Sequence, residues 1–281
     1  YKINPLVVKL NLAIQPPSAT SNIADCERLG YKIREVAGDV TLQLGSDYDV
    51  LLDVPHMLRR SRWNVTATVA YCRCNSRILQ LERGDTSRRN FGLAIDIGTT
   101  TVVVHLVDLH KRATVDVEAC YNSQMRYGED YIHRIMYAEE HDAFRDMKDL
   151  VIADINSLVA KLVSRSAVEL HEITGVVVAG NTAMVHFLLG LDPVRLRKEP
   201  YVPSCNIIPP LNADEVGIRV NRKALLYVMP GVAAYVGADI TSGAMSLQLD
   251  RKEEICLFID IGTNGEVVLG NKDWMVCCSC S

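Results

Sequence analysis

The chain has 281 residues, 48% of them hydrophobic and 23% charged, which suits one large domain or two modest ones and excludes a disordered tail or a low-complexity array. A formal net charge of −4 argues against nucleic acid or an anionic membrane surface as the main partner. No apolar run approaches the roughly 18 residues of a membrane span, and the opening YKINPLVVKLN lacks signal-peptide organisation.

From the N-terminus, alternation predicts a strand over 6–12, stopped by Pro16 and Pro17. Ser21 or Asn22 is placed to cap a helix whose apolar face is Ile23, Cys26, Leu29 and Ile33. A second helix is predicted near 48–60. Residues 63–71 and 77–82 read as a hairpin around CRCN, and the polar run 83–90 as a linker. Residues 1–90 are therefore expected to form a small α+β domain.

The next stretch, LAIDIGTTTVVVHL (93–106), is an apolar strand, an Asp, a Gly-Thr turn and a second strand. A third strand is predicted over 113–121. Helices follow over 127–138 and 143–166, the second carrying Met147, Leu150, Val151, Ile155, Leu158, Val159 and Leu162 as one stripe. Tyr127 and Arg134 on the first are either solvent-exposed or partner-facing. A buried strand over 175–179 leads to a helix over 183–189, with Asn181 or Thr182 at its cap. Residues 200–217 are a Pro-rich loop, 225–228 a strand, Pro230-Gly231 a turn and 239–249 a helix. A second hairpin begins at Ile255.

That second hairpin, LFIDIGTNGEVVLG (257–270), repeats the first: eight of fourteen positions match between the segments starting at 93 and 257. The repeat predicts a duplicated α/β unit of ribonuclease H-like order, its first half spanning 91–254 and its second beginning at 255. In the first turn Asp96, Gly98, Thr99, Thr100 and Thr101 combine a carboxylate, a glycine and three hydroxyls. Backbone N–H groups and hydroxyls of such a turn can approach phosphate oxygens closely, and a strand-end carboxylate can hold Mg²⁺ directly or through water. Asp260, Gly262, Thr263, Asn264 and Gly265 offer the same chemistry, so the two loops together would clamp a triphosphate. The alternative is that Gly-Thr and Asn-Gly simply make hairpin turns. Asp239 stands at the start of a predicted helix, where plain capping is one reading. Asn181 and Thr182 are read either as nucleotide or partner contacts or as plain caps.

Both hairpins resemble the phosphate motifs of the actin/Hsp70/sugar-kinase ATPase superfamily, and GADITSGA (237–244) resembles its connecting helix. Four segments are similar to reductive activators of corrinoid proteins: NSQMRYGEDYIHRI (122–135), GNTAMVHFLLGLDP (180–193), GADITSGAM (237–245) and the terminal CSCS. Residues 5–35 resemble the start of that family's middle domain. The resemblance implies an α/β chain with a ribonuclease H-like, actin-like ATPase domain preceded by a small α+β middle domain. It implies ATP and Mg²⁺ as cofactors, Asp96 and Asp260 as metal carboxylates, and Asp96, Asp239 and Asp260 as catalytic residues. The implied activity is ATP-driven reduction of a corrinoid protein of a methyltransferase system from Co(II) to Co(I). The electron would come from a [2Fe–2S] cluster in a ferredoxin-like domain.

No cluster-type Cys series precedes Cys26, there is no initiator Met, and the second hairpin stands close to Ser281; the chain is expected to be a piece of a longer protein. The electron donor and any homodimer are left open by the sequence. A sugar-type kinase and an Hsp70-like nucleotide switch remain the alternatives within the superfamily. Nine cysteines at irregular spacing, Cys72-Arg-Cys74 and the Cys277, Cys278, Cys280 group included, fit free thiols in a reducing cytoplasm better than a disulfide framework. His105, His133 and His186 are scattered over strands and helices, and none is read as a cobalt ligand.

Overall fold

A computed structural model describes residues 5–71, 76–262 and 264–280, the last of them by its backbone alone. The CRCN hairpin tip and Thr263 lie outside the described residues.

β1 (Val7–Ala13) turns Val8, Leu10 and Leu12 to one face and Val7 to the other, so that the two faces pack into different clusters. Helix α1 (Asp25–Ala37) follows, then β2 (Leu44–Ser46), α2 (Tyr48–Arg60), β3 (Asn64–Ala70) and β4 (Ser76–Arg83). The four strands form a sheet in the order β1-β3-β4-β2. Both helices cover one face, where Leu29, Ile33, Val50, Val54 and Leu58 meet Leu12, Val65 and Ile78. Neither Ser21 nor Asn22 caps α1: its first turn starts at Ala24 without a side-chain cap, and Ser21 accepts the Arg28 guanidinium instead. Asp25 and Glu27 in that turn complement the helix dipole. Ile23, expected on the apolar face, is half exposed because it precedes the helix.

Next come β5 (Phe91–Ile97), β6 (Thr101–Asp108), β7 (Ala113–Tyr121), α3 (Tyr131–His141), α4 (Phe144–Ser166), β8 (Ile173–Gly180) and α5 (Thr182–Leu189). After them stand the short β9 (Leu211–Asn212) and α6 (Ala213–Val216), then β10 (Leu225–Val228) and α7 (Ala238–Ser246). The sheet order is β7-β6-β5-β8-β10-β9. β5 is antiparallel to β6 and parallel to β8, and β10 runs parallel to β8. Five of these strands thus make the 3-2-1-4-5 sheet of a ribonuclease H-like half. The α4 stripe is buried from Met147 through Leu162 against this sheet, with Leu150 half-buried. The two units join where Val7, Ala70 and Leu79 pack on Leu225. Hydrogen bonds from Arg77 to Asn212 and from Asn221 to Gln80 flank that contact.

The helix expected over 127–138 is two elements. Asn122 accepts a bond from Gln124 N and starts a 3-10 turn, Ser123–Tyr127; Asp130 accepts from His133 N and starts α3 afresh. Two caps eight residues apart outcompete one continuous helix. The helix expected over 239–249 closes at Ser246, and a 3-10 turn, Leu249–Arg251, follows Gln248 at φ 56°.

The start of α7 lies against the start of α5. A Cβ on Gly237 would sit 2.6 Å from Asn181 Cα and 2.7 Å from Thr182 N, both backbone. Gly237→Ala is therefore expected to push the two helix starts apart and to destabilise the fold by about 1–3 kcal/mol. Denaturant melts check this; a midpoint equal to wild type refutes it.

β11 (Cys256–Ile261), β12 (Gly265–Gly270) and β13 (Met275–Cys280) form a separate meander. It docks on α7 through Ile240, Leu249, Val268 and Phe258. No helix among the described residues is long and apolar enough to cross a membrane.

Candidate phosphate-binding cleft

The first turn is closed by Gly98 N donating to Thr101 O at 2.8 Å, and a Cβ on Gly98 would clash with that same oxygen. The second is closed by Gly262 N donating to Asn264 O at 2.9 Å. Although 164 residues separate Asp96 from Asp260, both turns open on one cleft of about 510 Å³. Asp96, Gly98, Thr99, Thr100 and Thr101 form one wall. Asp260, Gly262 and Asn264 form the facing wall, with Glu266 beside them. Asn181 and Asp239, from the starts of α5 and α7, lie between.

Two of the expected residues stand elsewhere. Gly265 pairs with Ile261 in the ladder and does not line the cleft. Thr182 donates its hydroxyl to Ala233 O and so ties a loop. Asn181 both caps and reaches the site. Its Oδ1 accepts Met184 N, and its Nδ2 donates to Thr99 Oγ1 at 2.9 Å. A hydroxyl that accepts this bond keeps its own proton to donate. Asp239 is not the α7 cap, which is Gly237. Its carboxylate accepts only the adjacent Ile240 N and otherwise faces the cleft.

Glu266 was missed for a reason of register. In the first hairpin Asp96 lies opposite Val103; in the second Asp260 lies opposite Glu266, because the second turn is one residue shorter. By repeat alignment Glu266 matches Val102, which is fully buried. A one-residue slip turns a strand residue to the other face, so the carboxylate enters the cleft.

Four carboxylates thus converge, and none has an ion-pair partner among the described residues. Burial pushes Asp239 up to about 6, helped by the charges of Glu266, Asp96 and Asp260 and opposed by Ile240 N. Asp96 is also raised, first by loss of water and then by Asp260, although its side chain opens on the cleft. Glu266 is raised by burial and by Asp260, against a lowering bond from Ser279. Such a site favours a bound cation. Among the described residues no three His, Cys, Asp or Glu side chains gather closely enough to enclose a metal themselves. That donor set fits Mg²⁺, which keeps several waters and shares its shell with phosphates.

A second cleft of about 520 Å³ lies between the N-terminal unit and the main sheet, lined by Lys9, Asp39, His110 and Arg112 among others. None of the repeated motif residues reaches it.

Arg134 is not at the surface. It is 0% exposed, and it donates to Thr99 O behind the first turn. Tyr127 is half-buried and stacks on Tyr137. Cys277 and Cys278 are exposed and form no disulfide among the described residues.

A ribonuclease H-like half followed by a second Asp-tipped hairpin on the same cleft defines an actin-like protein of the ASKHA class. Residues 91–252 match the RACo middle region, 1–88 the RACo linker region and 254–281 the C-terminal ASKHA domain of RACo. The chain belongs to the RACo family, the reductive activators of corrinoid proteins. The N-terminal unit, which sequence resemblance placed at the start of a middle domain, corresponds to the linker region of that family. The chain is similar to the corrinoid activation enzyme RamQ of Eubacterium limosum, with 32% identity over 184 residues, 65% of this chain and 31% of RamQ. It is also similar to a solved reductive activator for corrinoid, iron-sulfur protein: TM-score 0.95, 42% identity, 100% of this chain and 44% of that one. The chain spans less than half the length of either relative.

Proposed function

We propose that this cleft binds Mg·ATP, and that its hydrolysis serves the reductive reactivation of a corrinoid protein from Co(II) to Co(I). The observation that carries the reading is the convergence of two Asp-tipped turns on one cleft whose carboxylates have no cationic side chain paired with them among the described residues. Thr99, Thr100, Thr101, Gly98, Gly262 and Asn264 would surround the phosphates, and Asp96 and Asp260 would hold Mg²⁺, in part through water. Bound there, Mg²⁺ would neutralise phosphate charge. Asp239, ionised above a pKa of about 6, would accept a proton from the attacking water as its oxygen bonds the γ-phosphorus and the bond to the β-phosphate bridge breaks.

The reductive step takes one electron, from a donor we propose to be a [2Fe–2S] cluster outside this chain. The described thiols form no ligand group for it, so no electron transfer is assigned to these residues. The partner is a corrinoid protein of a methyltransferase system.

The test uses the full-length protein with a corrinoid protein and a reductant, following the cobalt spectrum with and without ATP. Accumulation of Co(I) only with ATP is the expected result. Equal Co(I) without nucleotide overturns the coupling. Phosphoryl transfer to a small hydroxylated substrate, with no effect of the corrinoid protein, would instead indicate a kinase.

A further inference from the structure

The segment 122–135 carries a motif that the cleft reading leaves without a role. Its two buried polar side chains meet behind the first turn. Asn122 is 1% exposed and Arg134 is 0% exposed. Asn122 Nδ2 donates to Gly98 O at 2.9 Å, Arg134 Nη2 to Thr99 O at 2.7 Å, and Asn122 N to Thr100 O at 2.8 Å. Three consecutive carbonyls of the turn are therefore held from the side away from the cleft. A trans peptide carries its N–H opposite its C=O. Holding the carbonyls of Gly98 and Thr99 back aims the amides of Thr99 and Thr100 forward.

Both anchors are themselves fixed. Asn122 Oδ1 accepts Gln124 N, and Arg134 Nε donates to Gly128 O at 2.9 Å. No carboxylate among the described residues forms an ion pair with Arg134: the charge of Asp130 favours the guanidinium only from a distance, and the Asp130 side chain is engaged by His133. Neutral acceptors surround the guanidinium, with Met184 Sδ at 3.7 Å and Glu129 O at 3.4 Å. Burial lowers its pKa only to about 10, so it stays charged at neutral pH. A buried cation without a counter-ion is costly unless a nearby anion balances it. The carboxylates of the cleft lie on the far side of the turn, where the phosphates would stand.

We propose that Asn122 and Arg134 are the positioning residues of the first turn, and that the buried Arg134 guanidinium is a fixed cation balanced by the polyphosphate of a bound nucleotide. The inference rests on the phosphate reading of the cleft and deepens it: recognition scales with phosphate charge and not with the adenosine. A neutral side chain could hold the same carbonyl. It could not supply the charge.

The test measures ATP, ADP and AMP binding by calorimetry to the full-length protein, wild type against Arg134→Gln and Arg134→Lys. Arg134→Gln is expected to weaken ATP about tenfold, ADP less and AMP hardly at all. Arg134→Lys is expected to recover most of the ATP loss, because it keeps the charge while losing the fork. An equal loss for all three nucleotides, or none, overturns the proposal. Should Arg134→Gln fail to fold, Asn122→Ser carries the test: it frees Gly98 O, so ATP and ADP are expected to weaken several-fold and AMP to be unchanged. Unchanged ATP binding in that variant overturns the proposal. A wild-type protein that binds no nucleotide removes the phosphate reading itself, a different outcome from variants that fail to discriminate.

Discussion

Asp96→Ala is expected to lower Mg·ATP hydrolysis by about 10²–10³-fold without destabilising the ligand-free protein. The two halves of that expectation come from one geometry. The Asp96 carboxylate accepts no hydrogen bond among the described residues, and burial and Asp260 together raise its pKa. Its removal deprives the folded state of no partner and relieves repulsion in the empty cleft. What it does remove is one of the two carboxylates proposed to hold the phosphate-bound cation, and that loss is felt only with Mg·ATP present. Phosphate release and a thermal melt, with Asp96→Asn as the near-isosteric control, separate the two effects. Wild-type turnover in the alanine variant would sink the assignment, and a large fall in melting temperature would show the carboxylate to be structural.

Asp239→Asn is expected to reduce hydrolysis by about 10²–10⁴-fold, the range for loss of a general base, and to change the pH dependence of stability. Its folded pKa, about 6, lies above the unfolded carboxylate value of 3.8. In that case the unfolded chain ionises first as pH rises. The carboxyl's favourable contribution is complete below the unfolded pKa and is lost as pH climbs through about 6. Two pKa units correspond to roughly 2–3 kcal/mol, less for the part of the group still in contact with water. The asparagine variant should therefore melt higher than wild type at pH 8, and the gap should close as pH falls towards 4. A gap independent of pH refutes the electrostatic explanation. Mg·ATP should narrow the gap at pH 8, since a cation in the cleft favours the ionised carboxylate.

Local patterns carried far in this chain. Helix 48–60 and strands 113–121 and 225–228 were legible to the residue, because an apolar stripe or alternation there agrees with the packing that buries it. The repeated IDIGT segments disclosed the duplicated fold, since each is a strand, an acidic tip and a tight turn whose chemistry is local. Boundaries failed where caps compete. Gly128, which closes the 3-10 turn, and Asp130, which starts α3, both interrupt the segment 127–138, whose apolar residues look continuous.

Three parts of the cleft came only with the folded chain. Glu266 faces it because one turn is a residue shorter than the other, and a register is a property of a strand pair, not of one strand. Arg134 lies under the first turn although arginine on a helix usually faces water, because backbone oxygens from Thr99, Gly128 and Glu129 gather around it. The rise of Asp239 to about 6 requires neighbours from both hairpins, brought together only once the sheets are packed. Residue order was enough to place the two Asp-tipped hairpins, whose form depends on bonds between near neighbours. The charge balance of the cleft depends on electrostatic interactions across the fold, whose energies fall as the inverse of separation in space and are not set by separation along the chain.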